Sequence, residues 1–149
     1  MTIEEQVNEG IKEAMKAHDK IRLEALRNIK KVILEAKTKP GAGGRIDDAA
    51  CIKIIQNLAK QSAESAAVYK EHGRTELYEQ ETGQLAVLNT FLPEQLTDEQ
   101  LTQALRDIVA KVGASSAKDM GKVMGIATKE LAGRADGKAI SSKVKELLG

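Results

Sequence analysis

The sequence predicts an all-α protein made of two helical domains, an N-terminal four-helix unit and a small C-terminal three-helix unit. Helix-forming residues dominate the chain, whereas aromatic residues make up only 2% of it. Apolar residues recur at helical spacing in most segments, and the two prolines stand where that spacing breaks. A chain of 149 residues is long enough for one ordinary domain or two small ones.

The first two helices are predicted by their caps and their apolar stripes. A capping box at Thr2–Glu5 begins the first helix, and Asp19 is placed to cap a second from Lys20 to Lys37. The apolar face of the first consists of Ile3, Val7, Ile11, Ala14 and Met15. That of the second consists of Ala25, Leu26, Ile29, Val32, Ile33 and Ala36. Leu23 and Leu34 lie among cations on its other side, so we expect this helix to touch partners on more than one side.

A flexible connection is predicted at residues 38–45, which contain Pro40 and several glycines. Asp47 or Asp48 then caps a third helix that runs to about His72. The buried face of this helix is expected to include Cys51, Ile54, Ile55, Leu58, Ser62, Ala66 and Tyr69.

A fourth helix is predicted from Thr75 to about Phe91, where Pro93 stops it, because a residue before proline is disfavoured in helical geometry. This proline marks the predicted boundary between two domains. We therefore predict an N-terminal helical domain over residues 1–95 and a C-terminal three-helix domain over residues 96–149.

Three short helices are predicted in the C-terminal domain. A second capping box at Thr97 begins the first of them, and Gly113 is well placed to end it. The next helix is expected from Ala117 to Leu131, followed by a loop at 133–137. Ser141 is expected to cap the last.

Composition excludes several classes of protein. The single cysteine, Cys51, cannot form an internal disulfide or supply a zinc site alone. No apolar run approaches the ~20 residues that cross a bilayer, and the N-terminus lacks the basic and apolar regions of a signal peptide. We expect a cytoplasmic protein without membrane contact. The only aromatic residues are Tyr69, Tyr78 and Phe91, too few for a surface that stacks bases.

No pattern for catalysis or metal binding is present, and no cofactor is expected. The glycine cluster at 41–45 lacks the spacing and the Lys-Ser/Thr pair of a phosphate loop. His18 and His72 stand far apart, near predicted helix ends. Cys51 falls on an apolar stripe, and the Asp47–Asp48 pair is explained as a helix cap. Catalytic residues are therefore predicted to be absent.

Charge is distributed unevenly along the chain. The whole sequence carries a formal net charge of +1. Residues 1–96 sum to −1 and residues 97–149 to +2, but the stretch 118–145 alone carries +4. A nearly neutral chain therefore has a basic segment close to its C-terminus.

The predicted helix from Ala117 to Leu131 sorts this charge by face. With ~100° per residue, Lys129 and Lys122 fall within about 40° of Lys118, opposite the apolar residues. Gly121 and Gly125 lie beside the lysines, although glycine inside a helix costs roughly 1 kcal/mol relative to alanine. Two interpretations stay open: a phosphodiester backbone approaches this face closely, or the lysines are simply solvated and a neighbouring helix packs on the glycines.

The loop after this helix favours the phosphate interpretation. Arg134 and Lys138 add two cations that we expect to be mobile, and Ser141 is expected to head the final helix beside them. A loop and a helix N-terminus next to a lysine face form a reasonable phosphate-binding arrangement. Lys143 joins the candidate set on charge alone, as does Lys129.

Three stretches together resemble a known family. They are Tyr69–Arg74 with Leu92–Leu96, then Gly113–Gly125, and finally Gly133–Lys138. In order and spacing the chain is similar to YqeY-like proteins, the free-standing members of the GatB/YqeY group, over essentially its whole length.

The resemblance implies two all-helical domains, the second a three-helix unit. A similar domain forms the tail of the B subunit of glutamyl-/aspartyl-tRNA amidotransferase, where it helps to hold tRNA. The matched motif residues are Lys118, Gly121, Lys122, Gly125, Arg134 and Lys138. The family's label of glutamine-dependent carbon–nitrogen ligase is expected to be inherited from the larger enzyme, because this chain resembles only the tail.

Three functions are therefore considered. The first is a non-catalytic accessory module that binds tRNA through the basic, glycine-flanked face. The second is a protein-interaction module that docks on an aminoacyl-tRNA synthetase, an amidotransferase or another part of the translation machinery. The third is a participant in amidotransferase activity itself.

Overall fold

The computed structural model describes residues 1–149 and confirms the all-α prediction, with seven α-helices, one short 3-10 helix and no strand. Contacts divide the chain into two compact units, which we call unit 1 (Met1–Leu92) and unit 2 (Pro93–Gly149). Each unit encloses its own cluster of buried apolar side chains.

Unit 1 contains four helices that begin where the sequence predicts. These are α1 (Ile3–Lys16), α2 (Lys20–Lys37), α3 (Asp48–Glu71) and α4 (Thr75–Asn89). Thr2 and Glu5 form the expected capping box, and the carboxylates of Asp19 and Asp47 accept backbone N–H groups three residues ahead. The fourth helix ends at Asn89, two residues earlier than predicted, in a turn that leads to Pro93.

The core of unit 1 is formed by the predicted stripes of α1, α2 and α3, joined by Leu88 of α4. Its fully buried members include Val7, Leu26, Ile29, Ile33, Cys51 and Ile55. The placement of Met15 on the buried face was wrong, because this side chain is 53% exposed. It lies about 100° around the helix from buried Ala14, at the last turn of α1, and so falls off the stripe.

Two glycines allow the helices of unit 1 to approach closely. A Cβ at Gly10 of α1 would stand 3.0 Å from Cδ1 of Leu26 in α2. A Cβ at Gly83 of α4 would stand 2.9 Å from Cγ2 of Ile21, also in α2. Both glycines therefore have a packing explanation within this unit.

Unit 2 contains α5 (Asp98–Val112), a 3-10 helix (Ala117–Asp119), α6 (Met120–Glu130) and α7 (Gly137–Leu148). The capping box at Thr97 and the termination at Gly113, which has φ 68°, are confirmed. The core is formed by Leu101, Leu105, Ile108, Val123, Ala127, Leu131, Ile140, Val144 and Leu148.

The expectation of one α-helix from Ala117 to Leu131 was wrong at its start. The first three residues form the 3-10 helix, and regular α-helix begins at Met120. The carboxylate of Asp119 accepts the backbone N–H of Ser115 at 3.0 Å, which holds the chain in a tight turn before α6. Lys118 consequently does not lie on the same α-helix as Lys122.

The start of the last helix was also misplaced. This helix, α7, begins at Gly137, and the N–H of Ile140 already bonds to the carbonyl of Asp136 at 3.0 Å. Ser141 is therefore inside the helix rather than its cap, and Lys138 stands in the first turn rather than in a mobile loop. An early start is required because Ile140 and Val144 are both buried on one face of α7.

Candidate nucleic-acid interface

The two sides of α6 differ sharply in burial and chemistry. Val123 and Ala127 are completely buried in the core of unit 2. The opposite side is exposed and holds Gly121, Lys122, Gly125, Thr128 and Lys129, which we call the α6 outer face. With ~100° per residue, these five residues fall within an arc of about 120°.

The glycines of the α6 outer face are open to solvent. A Cβ built at Gly121 or Gly125 would meet no atom within 4 Å outside its own helix. Gly10 and Gly83 are different, since a Cβ at either would press on a neighbouring side chain. No helix of unit 2 therefore packs on Gly121 or Gly125, so the packing explanation considered for them does not apply within this unit.

The lysines of this face have no acidic partner. Neither Lys122 nor Lys129 forms an ion pair with any residue of the chain. The nearby carboxylate of Glu130 is engaged elsewhere, since Nζ of Lys111 on α5 lies 3.6 Å from it. The face thus presents two unneutralised ammonium groups beside a surface from which side chains are missing.

Thr128 belongs to the same surface and was missed by the sequence argument. Its hydroxyl donates to the carbonyl of Met124 at 2.8 Å, which leaves the oxygen free to accept. The helical periodicity that grouped the lysines would have placed this residue beside Gly121, at the edge of the face away from the lysines, but a single threonine carries no charge signal.

Two further candidate cations are exposed outside α6. Lys118 lies in the 3-10 helix immediately before it, and Lys138 lies in the first turn of α7. Neither forms an ion pair within the chain. Both remain accessible to an anionic partner.

Arg134 is tied into the fold rather than mobile. Its side-chain Nε donates to the carbonyl of Glu94 at 3.3 Å. Its own carbonyl accepts the N–H of Leu96 at 2.9 Å, and its N–H donates to the carbonyl of Leu131 at 3.0 Å. The expectation of a mobile cation here was wrong, because the segment before α5 holds this turn.

Lys143 is also engaged inside unit 2. Its Nζ lies 2.8 and 2.9 Å from the two carboxylate oxygens of Asp98, and its side chain is only 20% exposed. This pair connects α7 to the first turn of α5. Lys143 was selected on charge alone, and its partner lies 45 residues away in sequence.

Groups that could serve catalysis are scattered or shielded. Cys51 is 1% exposed, and burial, followed by the carboxylates of Asp48, Glu4 and Asp47, raises the pKa of its thiol. The ring nitrogen Nδ1 of His72 lies 2.9 Å from the carbonyl of Val68. No group of three His, Cys, Asp or Glu side chains is arranged to hold a metal ion. None of the seven α-helices is both long and apolar enough to span a bilayer.

Comparison with known families identifies this architecture. A family model described as Yqey-like protein matches residues 4–148, nearly the whole chain. The chain belongs to the YqeY-like protein family. The resemblance noted from the three motif stretches is thereby confirmed. A comparison with curated proteins gave no match.

Proposed function

We propose that this YqeY-like protein is a non-catalytic accessory module that binds tRNA through the α6 outer face. The observation that carries the proposal is the combination of two open glycines and two unpaired lysines on one exposed helical face. A glycine in an exposed helix interior costs roughly 1 kcal/mol, and no contact within unit 2 offsets that cost at Gly125 or the smaller cost at Gly121 in the first turn of α6. Binding of a ligand that lies close to the helix backbone explains why glycine occupies both positions.

The sugar–phosphate backbone of RNA fits this surface. Its phosphates are attracted by the ammonium groups of Lys122 and Lys129, and the missing side chains allow the strand to lie against the helix. The hydroxyl of Thr128 is placed to hydrogen-bond a phosphate or a ribose 2′-hydroxyl. Such contacts read the shape of an RNA helix, so they agree with the low aromatic content of the chain.

Membership of the YqeY-like family is the reason for proposing tRNA as the RNA that binds. A similar domain forms the tail of the amidotransferase B subunit, and the matched motif includes Gly121, Lys122 and Gly125. Likeness of fold alone is a weak argument for function, so the proposal depends on the surface itself.

The test is a titration of fluorescently labelled, unfractionated tRNA with the full chain at several salt concentrations. We expect the logarithm of the binding constant to fall linearly with the logarithm of salt concentration. Charge reversal in the double variant K122E/K129E should weaken binding by at least about tenfold and reduce the salt slope by about 1.5 to 2.

A matched control separates this face from general electrostatics. The variant K12E/K16E makes the same change in net charge on exposed lysines of α1. We expect it to leave tRNA affinity within about threefold of the wild-type value, since the proposed phosphate contacts are made by the α6 outer face and not by α1. Equal losses in both variants, or no binding at low salt, would contradict the proposal. Amide formation on misacylated tRNA by the purified chain would contradict its non-catalytic part.

A further inference from the structure

A second charged surface lies on α2, in unit 1, and has no role in the proposed tRNA contact. The helix carries six cations, of which two face α1 and are neutralised there. Nζ of Lys37 lies 2.7 Å from a carboxylate oxygen of Glu4, and Nη2 of Arg22 lies 3.3 Å from one of Glu13. The other four, which form no ion pair, are Lys20, Arg27, Lys30 and Lys31.

Two leucines stand among the unpaired cations. Leu34 is 48% exposed, and Leu23 is only partly buried against the core of unit 1. With ~100° per residue, both lie with the four cations inside an arc of about 100°. We call this set of six residues the α2 outer face.

The surface beside Leu23 is not flat. A depression of about 390 Å³ is lined by Lys20, Leu23, Glu24, Arg27 and Asn28. A second, of about 250 Å³, shares Lys20 and Leu23 with the first and is also lined by Met15, His18 and Asp19 at the end of α1. In both depressions Leu23 lies among charged side chains.

We propose that the α2 outer face binds an acidic amphipathic helix of a partner protein. Four unpaired cations surround the apolar positions, so charge complementarity predicts a partner with a negatively charged surface. The leucines and the cations lie along the same helical face, and this arrangement predicts that the partner segment is a helix. Apolar side chains along one stripe of that helix would contact the leucines, and carboxylates beside them would pair with the cations. Leu23 and Leu34 are separated by 11 residues, or about 16 Å along the helix axis, which is about three turns of a docked helix.

The same observations favour protein over RNA at this face. A phosphate backbone gains nothing from the exposed side chain of Leu34, whereas an apolar anchor removes it from water. Glu24 and Glu35 stand at the edge of the stripe, and their carboxylates would repel phosphates. On the α6 outer face the cations stand beside glycines instead of leucines.

The test uses a defined synthetic probe. A fluorescein-labelled helical peptide of about 21 residues carries leucines at i, i+4, i+7 and i+11 and glutamates on the flanking positions. Its binding to the full chain is measured by fluorescence anisotropy, with ¹⁵N–¹H spectra to locate the site. We expect saturable binding whose shifts centre on residues 20–35. Replacing the peptide's glutamates by lysine, or its leucines by serine, should abolish binding.

Protein variants then assign the site. R27E/K31E and L34S change exposed side chains, so we expect both variants to keep the wild-type circular dichroism spectrum. Each variant should lower the affinity for the peptide at least about tenfold, as substitutions of central interface residues do. The control is K53E on α3, which is also exposed and should bind the peptide normally.

The outcome distinguishes this proposal from the tRNA proposal. The variant K122E/K129E should bind the peptide with wild-type affinity whether or not it has lost tRNA. The α2 proposal is overturned if the peptide fails to bind, if it binds L34S and R27E/K31E normally, or if R27E/K31E loses tRNA while peptide binding persists.

Discussion

The side-chain amide of Gln95 donates to the carbonyl oxygen of Gly133 at 2.6 Å, which joins two turns of unit 2 that are 38 residues apart. The adjacent N–H of Leu96 donates to the carbonyl of Arg134, and Nε of Arg134 returns a bond to the carbonyl of Glu94. The backbone at Gly133 has φ 77°, a conformation that favours glycine. Two of the motif stretches, 92–96 and 133–138, thus hold each other in place.

We expect Gln95→Ala to lower the free energy of unfolding of unit 2 by about 1 kcal/mol, because it removes the partly buried hydrogen bond to Gly133 and an exposed one to the carbonyl of Pro93. Amide hydrogen exchange in α5 and α7 measures this loss. The control is Gln103→Ala, because the amide of Gln103 bonds only to Asp107 on the same exposed helical surface. A loss in the control as large as in the Gln95 variant would mean that the bond to Gly133 contributes nothing.

Substitution of Gly121 and Gly125 should have opposite effects on stability and on tRNA affinity. Gly125→Ala should raise the stability of unit 2 by about 0.5 to 1 kcal/mol and Gly121→Ala, in the first turn of α6, by less, since alanine is the better helix former and meets no neighbour. The same methyl groups occupy the space proposed for the RNA backbone, so we expect tRNA affinity to fall. Urea unfolding and tRNA titration on the double variant measure both effects.

Gly10→Ala provides the contrast. Its methyl group would stand 3.0 Å from Leu26, which is completely buried, so the substitution should destabilise unit 1 by about 1 to 3 kcal/mol. It should leave tRNA affinity unchanged. A double glycine variant of α6 that gains stability and keeps full tRNA affinity would show that RNA does not lie close against Gly121 and Gly125.

Lys143 and Lys122 should respond oppositely to the same substitution. Lys143→Gln removes an ion pair whose partner, Asp98, is 81% exposed, so we expect a loss of stability of no more than about 1 kcal/mol. Its tRNA affinity should stay near the wild-type value, because the ammonium group is already neutralised. Lys122→Gln should do the reverse, with stability retained and tRNA binding weakened, as measured by the same titration.

Local signals predicted most of the fold, since caps and termini depend on residues close in sequence. Thr2, Asp19 and Thr97 each accept a backbone N–H three residues ahead, and Gly113 ends α5 through its own φ. The 3-10 helix before α6 escaped prediction because the hydrogen bond from Ser115 to the Asp119 carboxylate is not a periodicity signal. A turn of this kind depends on side-chain geometry that residue type alone does not determine.

The candidate site was only half predictable, for a related reason. Periodicity brought Gly121, Lys122, Gly125 and Lys129 to one face, and the structure places them there. Arg134 and Lys143 have partners 40 and 45 residues away, and no local pattern shows which cation a distant carbonyl or carboxylate will engage. Net charge along a segment therefore overestimates the charge available to a ligand.

Cys51 gives the pH dependence expected of a buried thiol. Burial and the nearby carboxylates of Asp48, Glu4 and Asp47 raise its pKa above the ordinary value of 9.0. The folded protein therefore keeps this proton at a pH where the unfolded chain has lost it. Because the unfolded state then binds fewer protons than the folded state, the free energy of unfolding must fall as pH rises above about 9.

The measurement is urea unfolding of wild type and Cys51→Ala between pH 7 and 10.5, followed by circular dichroism. The difference in unfolding free energy between the two proteins cancels the titration of tyrosines and lysines that they share. We expect this difference to be constant up to about pH 8 and then to shrink, because only the wild type loses the contribution of the protonated thiol. In the folded protein the thiol should also resist alkylation at neutral pH, since the thiolate is the nucleophile and Cys51 is 1% exposed. A constant difference across the whole range, or rapid alkylation of the folded chain, would show that Cys51 is not held protonated in the core of unit 1.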